Sequence, residues 1–300
     1  MVDELDRVDR VARVVAPLLR IPAEHRRYHV TSAAAGPIHG VDADLCQRLI
    51  DLGLPHVGTG ADALFDENDL ASVALHLRLR SVRRFTMGFW LESLARLRRG
   101  PVRYRVTARA SCPAPWHDGP CRYDVLGADG EYRAVHTDQR RMTVAELEVD
   151  VATKPFPVPR DLHGLIAEFA DVDFYLLPFP LADDLEFLRT ARIGTCPLVA
   201  RALVAEATRR GFAARTAYGL IVSAPYSQAH CWAEIAVDGQ WVAVDPLMPR
   251  ALQSFGLCDE TQWPATLSPA GLYHRLDAAR PLVTHHGAEC PTSLTTQAVP

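Results

Sequence analysis

The chain has 300 residues, of which 48% are hydrophobic, so it can bury one large core or two ordinary ones. Its 32 basic and 36 acidic residues give a formal net charge of −4, which provides no electrostatic reason to expect nucleic acid or a membrane as a partner. The charged N-terminus lacks the apolar centre of a signal peptide, and an odd count of seven cysteines suits a reducing compartment. A soluble cytoplasmic protein is therefore expected.

The first hundred residues have mostly helical patterning. Apolar residues recur at helical spacing from Val2 until Pro22 ends the run, and a second helix is predicted over 43–51. The Gly- and Asp-rich segment 57–68 predicts a loop. A long helical pattern, either continuous or broken near Gly88, then covers 69–99 and ends at a Gly-Pro pair.

Strand-like alternation replaces the helical pattern after Pro101, followed by a Pro-rich loop at 111–119. Cys112, His117 and Cys121 lie close together in and beside this loop. A zinc site would need a fourth ligand and usually a Cys-x₂₋₄-Cys pair, so a plain loop is expected and no metal or cofactor is predicted. Beyond Pro264 the composition shifts toward Pro, Thr, Ser and His, and the last dozen residues are expected to fray.

The chemistry-bearing stretch begins with Cys196, which precedes Pro197 and a long helical run that ends at Gly211. Proline suits the first position of a helix, so the cysteine is predicted to lie at a helix N-terminus. There the macrodipole stabilises a thiolate, and the free amides could also bind an oxyanion. The alternative is that Cys196 is a small buried hydrophobe.

Two further residues complete a possible catalytic set. His230 opens a predicted strand, Asp238-Gly239 is a predicted hairpin turn, and Asp245 closes the returning strand just before Pro246. Because the hairpin brings the start of one strand near the end of the other, His230 and Asp245 are expected to be neighbours. A nucleophile, a base and an orienting carboxylate are thus predicted, although Asp245 could instead be a turn acid.

These residues lie in motifs that resemble the transglutaminase-like superfamily. The motifs are Gly194-Thr-Cys196, Gly211-Phe-Ala-Ala-Arg215, His230-Cys-Trp232-Ala-Glu234 and Trp241-Val-Ala-Val-Asp245-Pro. The resemblance covers about residues 185–250 and implies a papain-like core with Cys196 as nucleophile, His230 as base and Asp245 as orienting residue. Arg192-Ile-Gly-Thr-Cys196 also resembles, more weakly, a motif of arylamine N-acetyltransferases, whose cysteine comes much earlier in the chain.

One departure from the family pattern concerns the oxyanion hole. Related enzymes often supply a second donor from a Trp or Gln upstream of the cysteine, and neither residue occurs between Asp150 and Cys196. A backbone amide, Tyr175 or a side chain of the N-terminal part could substitute.

The predicted fold class is α+β, with a papain-like transglutaminase core in which the helix bearing the cysteine packs on an antiparallel sheet. The expected domains are an α-rich, β-containing region of unknown role at 1–155, the catalytic core at 156–262 and a partly flexible C-terminal extension at 263–300.

The predicted function is cysteine-dependent acyl transfer through a Cys196 acyl-enzyme, forming or exchanging an amide on a small-molecule, peptide or carrier-protein-bound acyl substrate. A peptidase- or amidase-like hydrolase would use the same triad. A non-catalytic binding protein on the same fold is the third hypothesis.

Overall fold

The computed structural model describes residues 2–114, 117–127, 131–276 and 281–299. Its α-helices, numbered in chain order, are α1 (Val2–Leu18), α2 (Ser32–His39), α3 (Ala43–Asp51), α4 (Glu67–His76), α5 (Val82–Arg99), α6 (His163–Ala167), α7 (Leu185–Ala191), α8 (Cys196–Arg209) and α9 (Leu247–Ser254). Within these residues no helix combines the length and apolarity that crossing a bilayer requires.

The first strands are β1 (Tyr28–Thr31), β2 (Leu64–Asp66), β3 (Val102–Ser111), β4 (Cys121–Leu126), β5 (Tyr132–Thr137), β6 (Arg141–Val151), β7 (Phe156–Pro157), β8 (Asp173–Phe174) and β9 (Ile193–Gly194). They are followed by β10 (Ala214–Ile221), β11 (Gln228–Val237), β12 (Gln240–Val244), β13 (Leu267–Ser268), β14 (Tyr273–Leu276), β15 (Val283–His285), β16 (Ala288–Glu289) and β17 (Thr292–Val299). Helices and mainly antiparallel strands together confirm the predicted α+β class.

The chain forms two compact units built from interleaved segments. Unit 1 comprises Met1–Gly88, Val158–Ala214 and Val244–Thr266, and unit 2 comprises Phe89–Pro157, Arg215–Ala243 and Leu267–Pro300. The domain ranges expected from the sequence were consecutive instead, and their assignment to separate roles stays a prediction.

Unit 1 is mainly helical. The apolar faces of α1, α3 and α4 meet in one core with residues of α7 and β9, including Leu18, Leu49, Leu70, Phe187 and Ile193. Helix α3 has its N-terminus capped by Asp42, whose side chain accepts a hydrogen bond from the Leu45 amide at 2.8 Å.

Two sequence predictions for unit 1 are corrected. Segment 57–68 is not all loop, because β2 within it pairs antiparallel with β1. The helical pattern at 69–99 is two helices, α4 and α5, and the break lies at Arg78 rather than Gly88. Arg78 adopts a left-handed φ of 60°, and the Ser81 side chain then accepts from the Arg84 amide at the start of α5.

Unit 2 is mainly β-sheet. Its sheets have the strand orders β12-β11-β10-β14, β16-β15-β4-β5, β17-β3-β6 and β13-β7. The hairpin between β11 and β12 turns at Asp238 and Gly239, whose φ values of 50° and 77° are those of a type I′ turn.

The expectation that the C-terminus frays is wrong. Strand β17 pairs with β3 from Thr292↔Ala110 to Val299↔Arg103. The buried Thr296 hydroxyl also lies 2.7 Å from the Ser227 hydroxyl. β-branched residues favour such an extended, half-buried position, which the polar composition alone concealed.

Gly219 of β10 lies so close to β14 that a side chain would not fit. A Cβ atom there would stand 2.0 Å from the His274 carbonyl oxygen, a backbone atom. We therefore expect Gly219→Ala to lower the free energy of unfolding by about 3 kcal/mol or more in chemical denaturation. Gly88→Ala is the control: it has open space inside α5 and should raise stability by up to about 1 kcal/mol. Equal effects of the two substitutions would contradict this account of Gly219.

Candidate active site

Cys196 begins α8, as the sequence predicts. Thr195 holds the N-cap position in an extended conformation, Pro197 follows in the first turn, and the cysteine is 7% exposed. The first amides of a helix have no intrahelical acceptor, so this end of α8 can stabilise a thiolate or an oxyanion.

The backbone before the cysteine is held by β9, which pairs in parallel with β8. Gly194 lies in this strand, where a Cβ atom would stand 2.9 Å from Leu188 Cδ1. Glycine therefore allows β9 to pack closely against α7, and this close packing fixes the start of α8.

Asp245 lies directly after β12 and is 6% exposed. Its Oδ1 accepts a hydrogen bond from the Met248 amide at 3.2 Å, in the first turn of α9. This bond satisfies one of the unpaired amides of the helix and limits the rotation of the carboxylate. Both Cys196 and Asp245 belong to unit 1.

His230 lies in β11 of unit 2 and is 6% exposed. Its ring packs against two aromatic neighbours: the centroid of Tyr273 is 4.8 Å away, and that of Trp232 is 6.1 Å away with the rings nearly parallel. Trp232 and Tyr273 also contact each other at 4.9 Å. The imidazole is thereby held in a defined orientation, as a catalytic base requires.

Two of the motifs are joined by an ion pair. Arg215 Nε donates to Glu234 Oε2 at 2.7 Å, and the Arg215 guanidinium lies 4.0 Å from the centroid of Trp241. Because side chains alternate along a strand, Glu234 shares a face of β11 with His230 and Trp232. The ion pair and the contact of Arg215 with Trp241 therefore hold the side chains on this face of β11 in place.

The sequence reasoning missed two contributors to this site. Side chains alternate between the two faces of a strand, so the spacing of His230, Trp232 and Glu234 could have pointed to Glu234 as a residue of this face and to its pairing with Arg215. Tyr273 gave no local signal, since β14 pairs with β10 across a long sequence separation.

Tyr175, a sequence candidate for the second oxyanion donor, has another role. Its hydroxyl donates to the Val14 carbonyl oxygen at 3.2 Å, and its ring stacks on His76 at 4.2 Å. The side chain is buried in the core of unit 1, and burial raises its pKa. The Tyr175 hydroxyl proton is therefore already donated to the backbone of α1.

The residues of the predicted triad belong to both units, and their convergence in one cleft stays a prediction.

The segment that contains the three triad residues was compared with known proteins. The model of the transglutaminase-like superfamily matches residues 169–246, a range that includes Cys196, His230 and Asp245. No curated protein and no solved structure matches the chain. The chain therefore carries a transglutaminase-like superfamily domain, which agrees with the resemblance of its motifs.

Proposed function

We propose that this protein is a thiol acyltransferase in which Cys196 carries the acyl group. The observation that supports this most directly is a buried cysteine at the N-terminus of α8 within the segment that matches the family model. His230 and Asp245, the other two residues of the proposed triad, lie in the same matched segment.

In the proposed first half-reaction, His230 accepts the proton of the Cys196 thiol, and the sulfur attacks the carbonyl carbon of an amide or thioester. The oxyanion accepts hydrogen bonds from amides at the start of α8. His230 then returns its proton to the leaving amine or thiol, and a Cys196 thioester remains. Asp245 orients the imidazole throughout.

The second half-reaction reverses these roles. An amine attacks the thioester carbonyl, His230 takes a proton from the amine, and the Cys196 sulfur leaves. The products are a new amide and the regenerated cysteine–histidine pair. Water in place of the amine would give a carboxylic acid, so the outcome depends on which nucleophile the site admits.

A cavity in unit 2 has the size and lining for a small acceptor or for part of a donor. It measures ≈350 Å³, and its lining includes Trp232, Glu234, Trp241, Tyr273 and Arg275. Two of these residues, Trp232 and Tyr273, also contact the His230 ring. Aromatic walls with a few charged groups are typical of small-molecule sites, which favours a small substrate over a folded protein.

The test uses the full chain with a series of S-acyl-N-acetylcysteamine thioesters, with and without benzylamine. We expect intact mass to show one added acyl group, mapped to Cys196, and benzylamine to convert it to the amide faster than water releases the acid. If the acyl group is released as the acid faster than it is converted to the amide when benzylamine is present, the hydrolase is favoured. No acyl adduct with any donor, in a chain whose Cys196 also fails to react as a thiolate, would favour a binding protein.

A further inference from the structure

Four potential metal ligands, none of them a residue of the predicted triad, meet in unit 2. The donor atoms of Cys112, His117, Cys121 and His285 all lie within 4.8 Å of one another. Cys112 directly follows β3, Cys121 begins β4 and His285 ends β15, so the cluster joins strands of two different sheets.

The spacing of these atoms is close to that of a tetrahedral zinc site. Zn–S bonds of about 2.3 Å and Zn–N bonds of about 2.0 Å give ligand-to-ligand separations of roughly 3.3–3.8 Å in a tetrahedron. The separations in the structure exceed these values by at most about 1.5 Å, which side-chain rotations can close. Two thiolates with two imidazoles form a ligand set that selects Zn²⁺ among the common divalent metals.

Burial distinguishes this cluster from a chance surface grouping. Cys112, Cys121 and His285 are all less than a tenth exposed, and His285 Nε2 is buried without a hydrogen-bond partner. The segment beyond Pro264 is rich in Pro, Thr, Ser and His, yet the pairing of β15 with β4 places His285 in a sheet. Burying an imidazole nitrogen without a hydrogen-bond partner costs free energy, and coordination of a metal through Nε2 would remove that cost.

His117 is oriented toward the same point. Its Nδ1 lies 2.9 Å from the Asp118 carbonyl oxygen, so Nδ1–H donates there and the Nε2 lone pair faces Cys121 Sγ at 3.5 Å. Such a backbone partner on the second nitrogen is typical of metal-binding histidines.

A neighbouring cation already contacts the same ligand atoms. Arg140 Nη1 lies 2.7 Å from His117 Nε2 and 3.2 Å from Cys121 Sγ, and Nη2 donates to the His117 carbonyl oxygen at 2.8 Å. The ligand atoms thus attract positive charge. With an ion bound, Nη1 would release Nε2 and remain a donor to the thiolate.

We propose that Cys112, His117, Cys121 and His285 bind one Zn²⁺ in a closed structural site that fastens β3 to β4 and β15. On binding, each cysteine thiol loses a proton, and two thiolates balance the charge of the ion. Four protein ligands leave no position for substrate, so the ion supports the fold of unit 2 and takes no part in acyl transfer. Three of the ligands lie close together in the sequence, but the site could not be predicted from them because the fourth, His285, is brought near only by the pairing of β15 with β4.

The test measures zinc in the full chain, purified with a tag that contains no histidine and without chelator. Elemental analysis should find about one zinc per chain in the wild type, and less than about a tenth in Cys112→Ser and His285→Ala. The matched controls are Cys290→Ser, a buried cysteine of the same core, and His286→Ala, the exposed neighbour of His285. Both controls should keep about one zinc.

A second readout does not depend on variants that could fail to fold. Wild-type protein freed of metal and reloaded with Co²⁺ should show thiolate-to-cobalt absorption and tetrahedral bands in the visible region. It should also melt at a higher temperature with Zn²⁺ than without, and not with Mg²⁺. Wild-type protein that neither contains zinc nor gains these bands would overturn the proposal. So would an intact mass lower by two hydrogens with a Cys112–Cys121 disulfide, or full zinc content in His285→Ala.

Discussion

Cys196→Ala is expected to abolish the acyl-enzyme and to lower thioester turnover by at least about 10³-fold, because it removes the nucleophile itself. Initial rates with the best thioester donor would measure the loss. The matched control is Cys258→Ala, which removes a half-buried thiol whose pKa is raised to about 11, chiefly by burial. This control should retain activity within about two-fold, since a thiol of raised pKa is a poor nucleophile at neutral pH. Similar turnover by wild type and Cys196→Ala would contradict the assignment.

The same assay separates the charge of Asp245 from its structural contact. Asp245→Asn keeps an oxygen that can accept from the Met248 amide but removes the negative charge. If the carboxylate orients and stabilises the His230 imidazolium, turnover should fall by about 10²–10⁴-fold with little change in melting temperature. If Asp245 only caps α9, the variant should remain fully active.

Arg26→Ala is expected to cause a large loss of stability. Arg26 and Asp69 form an ion pair at 2.7 Å with side chains only 1% and 2% exposed. The guanidinium also donates to the carbonyl oxygens of Leu18, the last residue of α1, and of Ile21, three residues further on. Removing it leaves the buried Asp69 carboxylate without its partner and takes one hydrogen bond from each carbonyl, although the Leu18 carbonyl keeps the Ile21 amide. The substitution should cost about 3–5 kcal/mol in the free energy of unfolding. Arg27→Ala, at an exposed neighbour, should change it by less than about 0.5 kcal/mol.

The loss from Arg26→Ala should also depend on pH. Burial raises the pKa of Asp69 to about 6, and the nearby Arg26 charge opposes this rise. A carboxyl with a raised pKa favours folding most below its unfolded pKa of about 4, and this contribution disappears as pH rises through 6. Without Arg26 the folded pKa rises further, so ionisation costs more at high pH. The stability difference between variant and wild type should therefore be larger at pH 7.5 than at pH 5, and a difference that does not change would contradict this explanation.

Local sequence signals predicted the elements that carry the candidate site. Helix α3 has the predicted bounds because its Asp42 cap and apolar face agree. Helix α8 begins at Cys196 because Thr195 and Pro197 favour a helix start. The turn at Asp238-Gly239 could be predicted from the sequence because both positions need a positive φ, which aspartate and glycine tolerate.

Long-range pairing could not be read in the same way. Strand β17 pairs with β3, and β14 pairs with β10, across separations that no periodicity reveals. The interleaving of the two units, the contact of Tyr273 with His230 and the arrival of His285 beside Cys121 all depend on such pairings. Composition suggested a fraying tail, whereas burial of Leu294 and Thr296 makes that tail part of a sheet.

Activation of the Cys196 thiol by His230 can be tested by site-resolved alkylation without knowledge of the substrate. Wild type and His230→Ala would be pulsed with iodoacetamide between pH 5 and 9, and the rate at each cysteine read by peptide mass spectrometry. We expect Cys196 of the wild type to alkylate as a thiolate well below pH 8.5, the approximate pKa of an ordinary cysteine, and His230→Ala to shift the pH profile of Cys196 upward. Profiles for Cys196 that coincide in the two proteins, with midpoints near that ordinary value, would contradict it.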